Sequence, residues 1–248
     1  MTGNLYTIFF LAMLGILLVL TGLMYADNQL SHKKEDKHRH ILNMTNDAIF
    51  IAIIIVMTFT PNIGYLSIAG GVITFTLLHL PVLLGASLMG WKRGALYGFL
   101  FGLSNWIRAL TAATSAFDML FMNPLISILP RFLFGLIAGL LFEIPHLFKK
   151  NANQKLLLGA LAAVSTVIHT VLVFGSIYVF LGGETAWLWA WLFGGDASAL
   201  GMTALALTAL GASGEAILGA IFTPTLNIIL KKALPKAWPS LDKKALKN

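Results

Sequence analysis

The sequence predicts an all-α protein, a polytopic membrane helical bundle, from its composition and from the length of its apolar segments. Of the 248 residues, 58% are hydrophobic and only 11% are charged, whereas about 25% of residues are charged in typical soluble domains. The mean hydropathy is +0.83. The apolar runs are long and continuous, which favours spanning helices over the alternating pattern of a β-barrel. We therefore expect a multi-pass protein of the cell membrane.

Seven apolar segments approach or exceed the length of a membrane-spanning helix. They lie at about residues 4–25, 44–60, 72–90, 93–112, 126–148, 155–181 and 199–232. No lysine or arginine precedes the first segment and no small-residue cleavage site follows it, so we interpret it as a retained helix. The last segment exceeds a single span. It predicts a break near Gly211–Gly214 or a cytoplasmic extension.

These helices divide the chain into three parts. Residues 44–232 form a six-helix membrane domain. Residues 1–43 add one N-terminal transmembrane helix and a basic linker, and residues 233–248 form a basic tail. The linker contains His32, His38 and His40 within a run of mixed charge, which is typical of a solvated connector rather than a metal site. The chain has no cysteine, so thiolate metal ligands are excluded. We expect no metal and no cofactor.

The lysines and arginines predict how the bundle is oriented. Four segments hold 15 of the 17 basic residues: 26–43, 91–93, 149–155 and 231–248. Seven spans place these segments on one face, which the positive-inside rule makes cytoplasmic. The amino terminus is then outside and the carboxyl terminus inside. In a membrane protein, a net charge of +7 indicates such loops rather than a nucleic-acid partner.

The two remaining cations, Arg108 and Arg131, fall towards the outer face of the predicted bundle. A charge at the centre of a membrane helix costs roughly 2.5–3.5 kcal/mol, so such residues are functional candidates. Asn105 lies three residues before Arg108 and shares its helix face. The candidate binding residues are the outward-facing polar side chains of the apolar bundle: Asn62, His79, Asn105, Arg108, Asn123, Arg131 and Glu215.

Two interpretations of this polar set are open. In the first, an arginine pairs with Glu215 or Asp118 and locks the bundle. In the second, one or both arginines receive an anionic group of a small solute. Two cations against one acid in the middle of the membrane leave a positive charge unbalanced, which favours the second interpretation. His79 precedes Pro81, and it either binds ligand or donates to a carbonyl that Pro81 frees.

The sequence contains none of three common nucleotide-binding and catalytic motifs. It has no G-x-x-x-x-G-K-[ST] phosphate loop, no H-E-x-x-H and no G-x-S-x-G. ATP hydrolysis therefore has no recognisable route, and we do not expect an enzyme. Ala48 and Ala52 lie four apart on one helix face, a small-residue pattern that permits close approach of another helix in lipid.

Two long motifs give the chain a family resemblance. The run His79–Ala86 reads HLPVLLGA, and the run Asn123–Arg131 reads NPLISILPR. With them, residues 44–232 resemble the substrate-binding S component of energy-coupling factor (ECF) vitamin transporters, in the group that includes pantothenate and cobalamin carriers. Glu215 is similar to the acidic position in the family's last helix. The family usually has six helices, so the helix before residue 44 is an addition to the S-component core.

The resemblance implies a mechanism and partners. An S component binds a vitamin from outside, docks on a transmembrane coupling subunit with two ATPase subunits, and topples in the membrane to release the vitamin inside. Ala48 and Ala52 match the docking motif. Arg108 and Arg131 are then expected to receive an anionic vitamin, with Asn105, His79 and Asn123 as hydrogen-bonding neighbours. Pantothenate, a small carboxylate, suits two arginines. Cobalamin is the main alternative vitamin, and a membrane enzyme or a helix-binding scaffold are the alternative classes.

Overall fold

The computed structural model describes residues 37–68, 73–113, 116–144, 154–181 and 199–233. These residues form seven helices and one antiparallel hairpin. The helices are α1 (Lys37–Phe59), α2 (His79–Met89), α3 (Trp91–Ala112), α4 (Ala116–Leu120), α5 (Pro124–Glu143), α6 (Gln154–Leu181) and α7 (Ala199–Ala233), and the hairpin pairs β1 (Tyr65–Ile68) with β2 (Ile73–Thr76). The predicted first helix, the segment 182–198 and the basic tail lie outside the described residues.

Four of the described helices are long and apolar enough to cross a membrane. They are the segments Ile41–Phe59, Pro124–Glu143, Gln154–Leu181 and Leu210–Ala233. Helix α3 also has spanning length, 22 residues, but it carries Lys92, Arg93 and Arg108. The predicted all-α membrane bundle is therefore confirmed for the part of the chain that the structure describes.

The prediction of a helix over residues 72–90 was wrong in its first third. Ile73, Thr74, Phe75 and Thr76 form β2, and the helix α2 begins only at His79. β-Branched and aromatic residues suit a pleated strand, and a short apolar run does not distinguish strand from helix by periodicity. Pro81 then falls in the first turn of α2, where a missing amide hydrogen is tolerated.

One other boundary differs from its prediction, and one open alternative is decided. Helix α1 begins at Lys37, so it extends into the segment predicted as linker. Thr45 lies inside this helix, not at its start, and its hydroxyl donates to the carbonyl of Ile41 one turn earlier. Of the two alternatives for the long last segment, a break near Gly211–Gly214 or a cytoplasmic extension, the break does not occur, because helix α7 continues through these residues. Its 35 residues extend over about 52 Å at a rise of about 1.5 Å per residue, and Lys231 and Lys232 lie in its last turn.

A seam of small residues joins α3 to α5 and sets the geometry of the bundle. A Cβ atom added to Gly98 would lie 2.2 Å from the carbonyl oxygen of Arg131, and one added to Gly94 would lie 2.4 Å from that of Gly135. At the end of the seam, a Cβ on Gly139 would lie 2.2 Å from the Cα atom of Trp91. The two backbones therefore touch along this seam, as small residues permit in lipid.

The bundle has two chemically different ends. The hairpin end consists of the β1–β2 hairpin, α4, the last turns of α3 and the first turns of α5. The basic end lies around the turn from α2 to α3, at Gly90 and Trp91. A hydrophobic cluster that includes Leu83, Phe101 and Phe134 lies between them and is fully buried. This core separates the polar groups of the hairpin end from those of the basic end.

Candidate functional site

Arg131 lies two turns into α5, within the bundle, and is 5% exposed. Its Nη1 donates to the carbonyl of Ile126 at 2.7 Å. The guanidinium carbon lies 4.4 Å from the ring centroid of Phe121 and 5.7 Å from that of Phe101. Its Nε has no hydrogen-bond partner among the described residues. An aromatic face attracts the cation, but it is a weak substitute for a carboxylate.

Arg108 lies in the last turns of α3 and is paired. Its Nη2 donates to Oδ1 of Asp118 at 2.6 Å, with both side chains about 15% exposed. The guanidinium carbon also lies 4.1 Å from the ring centroid of Tyr65 in β1. The interpretation in which an arginine is locked by a carboxylate therefore applies to Arg108. One donor, its buried Nε, has no partner in the described part of the chain.

Asn105 connects the hairpin to the helix pair. Its Oδ1 accepts a hydrogen bond from the phenol of Tyr65 at 2.5 Å, and its Nδ2 donates to the hydroxyl of Ser127 at 2.9 Å. Ser127 in turn donates to the carbonyl of Gly102. Burial raises the pKa of Tyr65, against the opposing charge of Arg108, so the phenol stays protonated and donates. Tyr65 was not singled out from the sequence, because it lies between two predicted helices, where no helix periodicity indicates which side chains face the bundle.

Glu215 and His79 hold the other strand of the hairpin. Oε1 of Glu215 accepts from the backbone N–H of Thr76 at 2.5 Å. One ring nitrogen of His79 contacts the carbonyl of Thr76, and the other contacts the carbonyl of Glu215 at 3.3 Å. Leu77, whose carbonyl Pro81 would free, accepts instead from the amide of Leu80. The predicted bond of His79 to that freed carbonyl is therefore wrong, because Thr76 is the acceptor.

The two remaining asparagines have different surroundings. Asn123 caps α5: its Oδ1 accepts from the amide of Leu125 at 3.0 Å, and Pro124 follows at the first helical position. Its buried Nδ2 has no partner among the residues that are described. Asn62 is exposed in the turn after α1, at a φ of 60°. It makes no hydrogen bond to the other candidate residues described.

His169 is a buried polar residue of the bundle interior that the sequence analysis did not single out. It lies within α6, is 5% exposed, and packs against Phe134 at 4.7 Å and Phe101 at 5.8 Å between ring centroids. Neither ring nitrogen has a hydrogen-bond partner within the described ranges. The only signal in the sequence is one histidine in an apolar helix, and that pattern does not distinguish a core histidine from a ligand.

The charges of the hairpin end are thus unequally compensated. Asp118 neutralises Arg108, whereas Glu215 binds the Thr76 amide and forms no ion pair with Arg131 in the part described. A guanidinium is always charged and presents its donors in a planar fork that fits a carboxylate. Arg131 is therefore the group of this end best suited to an anion from outside the protein.

Ala48 and Ala52 are both exposed on α1, so they are accessible to another helix. Large apolar side chains surround them, and several are about half exposed: Ile41, Met44, Ile49 and Val56. On a membrane helix, such a face meets either lipid or a partner subunit. The two alanines are the places on it where another backbone can approach closely.

The fold defines a multi-pass helical membrane protein whose buried polar groups gather beneath a hairpin at one end. Residues 42–237 match the family described as "ECF transporter, substrate-specific component", and the chain belongs to that family. The resemblance drawn from the two sequence motifs is confirmed. Since residue 42 lies within α1, the match includes the helix that carries Ala48 and Ala52.

Two relatives are named for transport of one vitamin. The pantothenic acid transporter PanT of Lactococcus lactis subsp. cremoris is 31% identical over 201 residues, which is 75% of this chain and 92% of that protein. The pantothenate transporter PanT of Leuconostoc mesenteroides subsp. mesenteroides is 33% identical over 125 residues, 49% of this chain and 61% of that protein. The family and both relatives are transporters, in agreement with the lack of recognisable catalytic motifs in the sequence.

Proposed function

We propose that this chain is the S component of an ECF importer and that it binds pantothenate. The observation that carries the proposal is Arg131, a buried guanidinium whose Nε has no partner and which has no carboxylate partner among the described residues. The similarity to two pantothenate transporters supports the choice of vitamin. Pantothenate carries one carboxylate, and one unpaired guanidinium matches that charge.

The carboxylate of the vitamin would supply the missing hydrogen-bond partner of Arg131. Charge-assisted bonds of this type contribute about 1.5–3 kcal/mol, more than neutral ones. Phe101 and Phe121, which flank the guanidinium, exclude water from the ion pair and so strengthen it. Because the cost of burying Arg131 arises in the folded protein with or without ligand, binding relieves a cost that is already present.

The other candidate residues have supporting roles in this proposal. Arg108, held by Asp118, adds positive charge to the hairpin end and keeps one free Nε donor. Asn123 offers its unpartnered Nδ2. Asn105, together with His79 and Glu215, holds the hairpin against the helices. Asn62 is exposed in the turn after α1, so it would contribute to ligand binding only if the ligand reached that turn.

For transport, the proposal includes the coupling subunit and two ATPase subunits of the ECF family. Ala48 and Ala52 form the docking position on α1, where they are exposed. The basic end faces the cytoplasm and the hairpin end faces outside, with the amino terminus outside and the carboxyl terminus inside. The distribution of lysine and arginine supports this orientation.

Ligand identity is the first test. The full chain, purified without added vitamin, is analysed by mass spectrometry for co-purified small molecules and titrated with pantothenate by calorimetry. We expect pantothenate to be retained and to bind saturably, with one molecule per chain. Retention of cobalamin instead, or no binding of pantothenate, would overturn the assignment of the vitamin. Turnover of a lipid by the isolated chain would overturn the transporter subunit altogether.

Docking is tested by a double substitution, Ala48→Leu with Ala52→Leu. Leucine side chains prevent close helix approach, so we expect uptake of radiolabelled pantothenate by whole cells to be abolished while calorimetry shows unchanged binding. Ala160→Leu is the matched control, because Ala160 is exposed on α6 and gains the same side chain at another exposed helix position. Loss of binding in the double variant, or normal uptake, contradicts the docking assignment.

A further inference from the structure

The buried polar groups of the bundle interior include one histidine that the proposed function leaves unused. His169 is 5% exposed, and neither of its ring nitrogens has a hydrogen-bond partner among the described residues. His79, the other histidine of the bundle's interior in those ranges, has both nitrogens in contact with backbone carbonyls. A buried polar group without a partner is destabilising and is uncommon in folded proteins. The exception at His169 therefore requires an explanation.

The surroundings of His169 connect it to Arg131. Both groups lie within 6 Å of the ring centroid of Phe101, so less than about 12 Å separates them. Phe134, which contacts the imidazole at 4.7 Å, lies three residues after Arg131 on the same face of α5. An unused cationic donor and an unused imidazole thus lie near the same aromatic ring, that of Phe101.

The chemistry of the two groups is complementary. A guanidinium offers only donors and selects an anion. A neutral imidazole offers one donor and one acceptor, which suits a hydroxyl, a group that can accept and donate at once. A hydroxyl can match either nitrogen of the ring, whereas a second carboxylate, which only accepts, would match the donor alone.

We propose that His169 is a ligand-binding residue that receives the neutral, hydroxyl-bearing end of the ligand whose carboxylate binds Arg131. This inference rests on the proposed function and deepens it, because it defines a ligand class. The ligand is a small, elongated molecule with one carboxylate and, within about 12 Å of it, a neutral hydroxyl group. Apolar groups of the ligand next to these two polar ends, such as methylenes and methyl groups, pack against Phe101 and Phe134. Pantothenate has this arrangement.

The assignment also makes His169 a specificity residue. A site built to hydrogen-bond a substrate hydroxyl rejects analogues that lack it, because its own buried groups are then left without partners. Carboxylates of similar size but without hydroxyls should bind poorly, although they satisfy Arg131. The discrimination between them should depend on the ring nitrogens of residue 169 and not on its aromatic packing.

The test compares two variants with two ligands by calorimetry on the purified full chain. His169→Phe retains an aromatic ring between Phe101 and Phe134 but removes both nitrogens, whereas His169→Gln retains a donor and an acceptor. The ligands are pantothenate and its analogue with both hydroxyls replaced by hydrogen. Ser165→Ala is the control, because Ser165 lies one turn away on α6, is fully buried, and already donates to the carbonyl of Leu161.

We expect His169→Phe to weaken pantothenate binding about tenfold or more and to change binding of the deoxy analogue less than about threefold. His169→Gln and Ser165→Ala should stay within about threefold of the wild type for pantothenate. Equal losses for both ligands, or unchanged pantothenate binding in His169→Phe, would overturn the assignment. If the phenylalanine variant does not fold, His169→Leu takes its place. If the wild-type chain does not bind pantothenate, both the proposed function and this inference are wrong. If the wild type binds pantothenate and His169→Phe binds it equally well, only this inference is wrong.

Discussion

Arg93 at the basic end and Arg131 at the hairpin end have opposite surroundings. At the basic end, Nε of Arg93 donates to Oδ1 of Asp47 at 2.9 Å, and the phenol of Tyr97 donates to the same oxygen at 2.6 Å. At the hairpin end, Arg131 is 5% exposed, whereas the side chain of Arg93 is 26% exposed. Arg131 is the more buried of these two arginines, yet it has no carboxylate within ion-pair distance among the described residues.

Under the proposed function, this difference assigns Arg93 to stability and Arg131 to binding. A partly exposed pair such as Arg93 with Asp47 is internally complete and contributes modestly to stability. A buried cation without a carboxylate has a free-energy cost that the bundle alone does not offset, and such a cost is expected where a ligand supplies the counter-charge. The comparison therefore predicts opposite responses when each arginine is replaced by an apolar side chain.

The largest expected effect is that of Arg131→Met. Loss of a charge-assisted contact should weaken pantothenate binding by about 1.5–3 kcal/mol or more, which is about 10- to 150-fold. The melting temperature of the ligand-free protein should be unchanged or higher, because an apolar side chain often replaces a buried charge without loss of stability. Calorimetry and thermal unfolding in detergent measure the two quantities on the same preparation.

Arg93→Met is the matched substitution at the basic end. It leaves Asp47 without its cation, so we expect a lower melting temperature, with pantothenate affinity within about twofold of the wild type. The comparison fails if both variants lose the same affinity, or if Arg131→Met binds normally. A lower melting temperature in Arg131→Met with normal binding would make Arg131 a structural residue like Arg93.

An intermediate effect is expected where the glycine seam touches Arg131. In Gly98→Ala, the new Cβ would lie 2.2 Å from the Arg131 carbonyl oxygen, so α5 must shift and carry the guanidinium with it. We expect a stability loss of about 1–3 kcal/mol and weaker pantothenate binding. In Gly139→Ala, the new Cβ would likewise lie 2.2 Å from a backbone atom, the Cα of Trp91 at the basic end. This variant should lose stability without a change in pantothenate affinity. Equal affinities in the two folded variants would show that the seam does not position Arg131.

Much of the fold could be predicted from the sequence, because membrane-spanning helices are recognisable as long apolar runs. Gly94, Gly98 and Gly102 lie four residues apart in α3, a spacing typical of close helix contact, and the structure has such a contact at Gly98. Hydropathy alone gave a wrong prediction at residues 73–76, where an apolar run predicted as helix forms strand β2. Nothing in a one-dimensional pattern shows that the backbone amide of Thr76 is held by Glu215, 139 positions later in the chain.

The sequence singled out the two cations of the candidate site and their polar neighbours Asn105, His79 and Asn123, but not the partners of these groups. Arg108 and Arg131 stood out because cations are rare in such segments. The sequence did not show that Asp118 pairs with Arg108, since the intervening loop has no periodicity to fix its distance. His169 and Tyr65 were missed for a related reason: an aromatic or imidazole side chain in an apolar segment is compatible with a core, and only the position of its partners distinguishes the two roles.

The smallest predicted effect concerns the phenol at each end. Tyr65→Phe removes the donor to Asn105 but keeps the ring beneath Arg108, so we expect a stability loss of about 0.5–1.5 kcal/mol and weaker pantothenate binding by a few-fold. The hairpin stays attached through Thr76 and Glu215, which limits the loss. Tyr97→Phe removes an equivalent phenol bond at the basic end and should lower stability similarly with no change in binding. If Tyr97→Phe weakened binding as much as Tyr65→Phe, the two ends would be coupled through the helices, and the separation of a stabilising end from a binding end would be wrong.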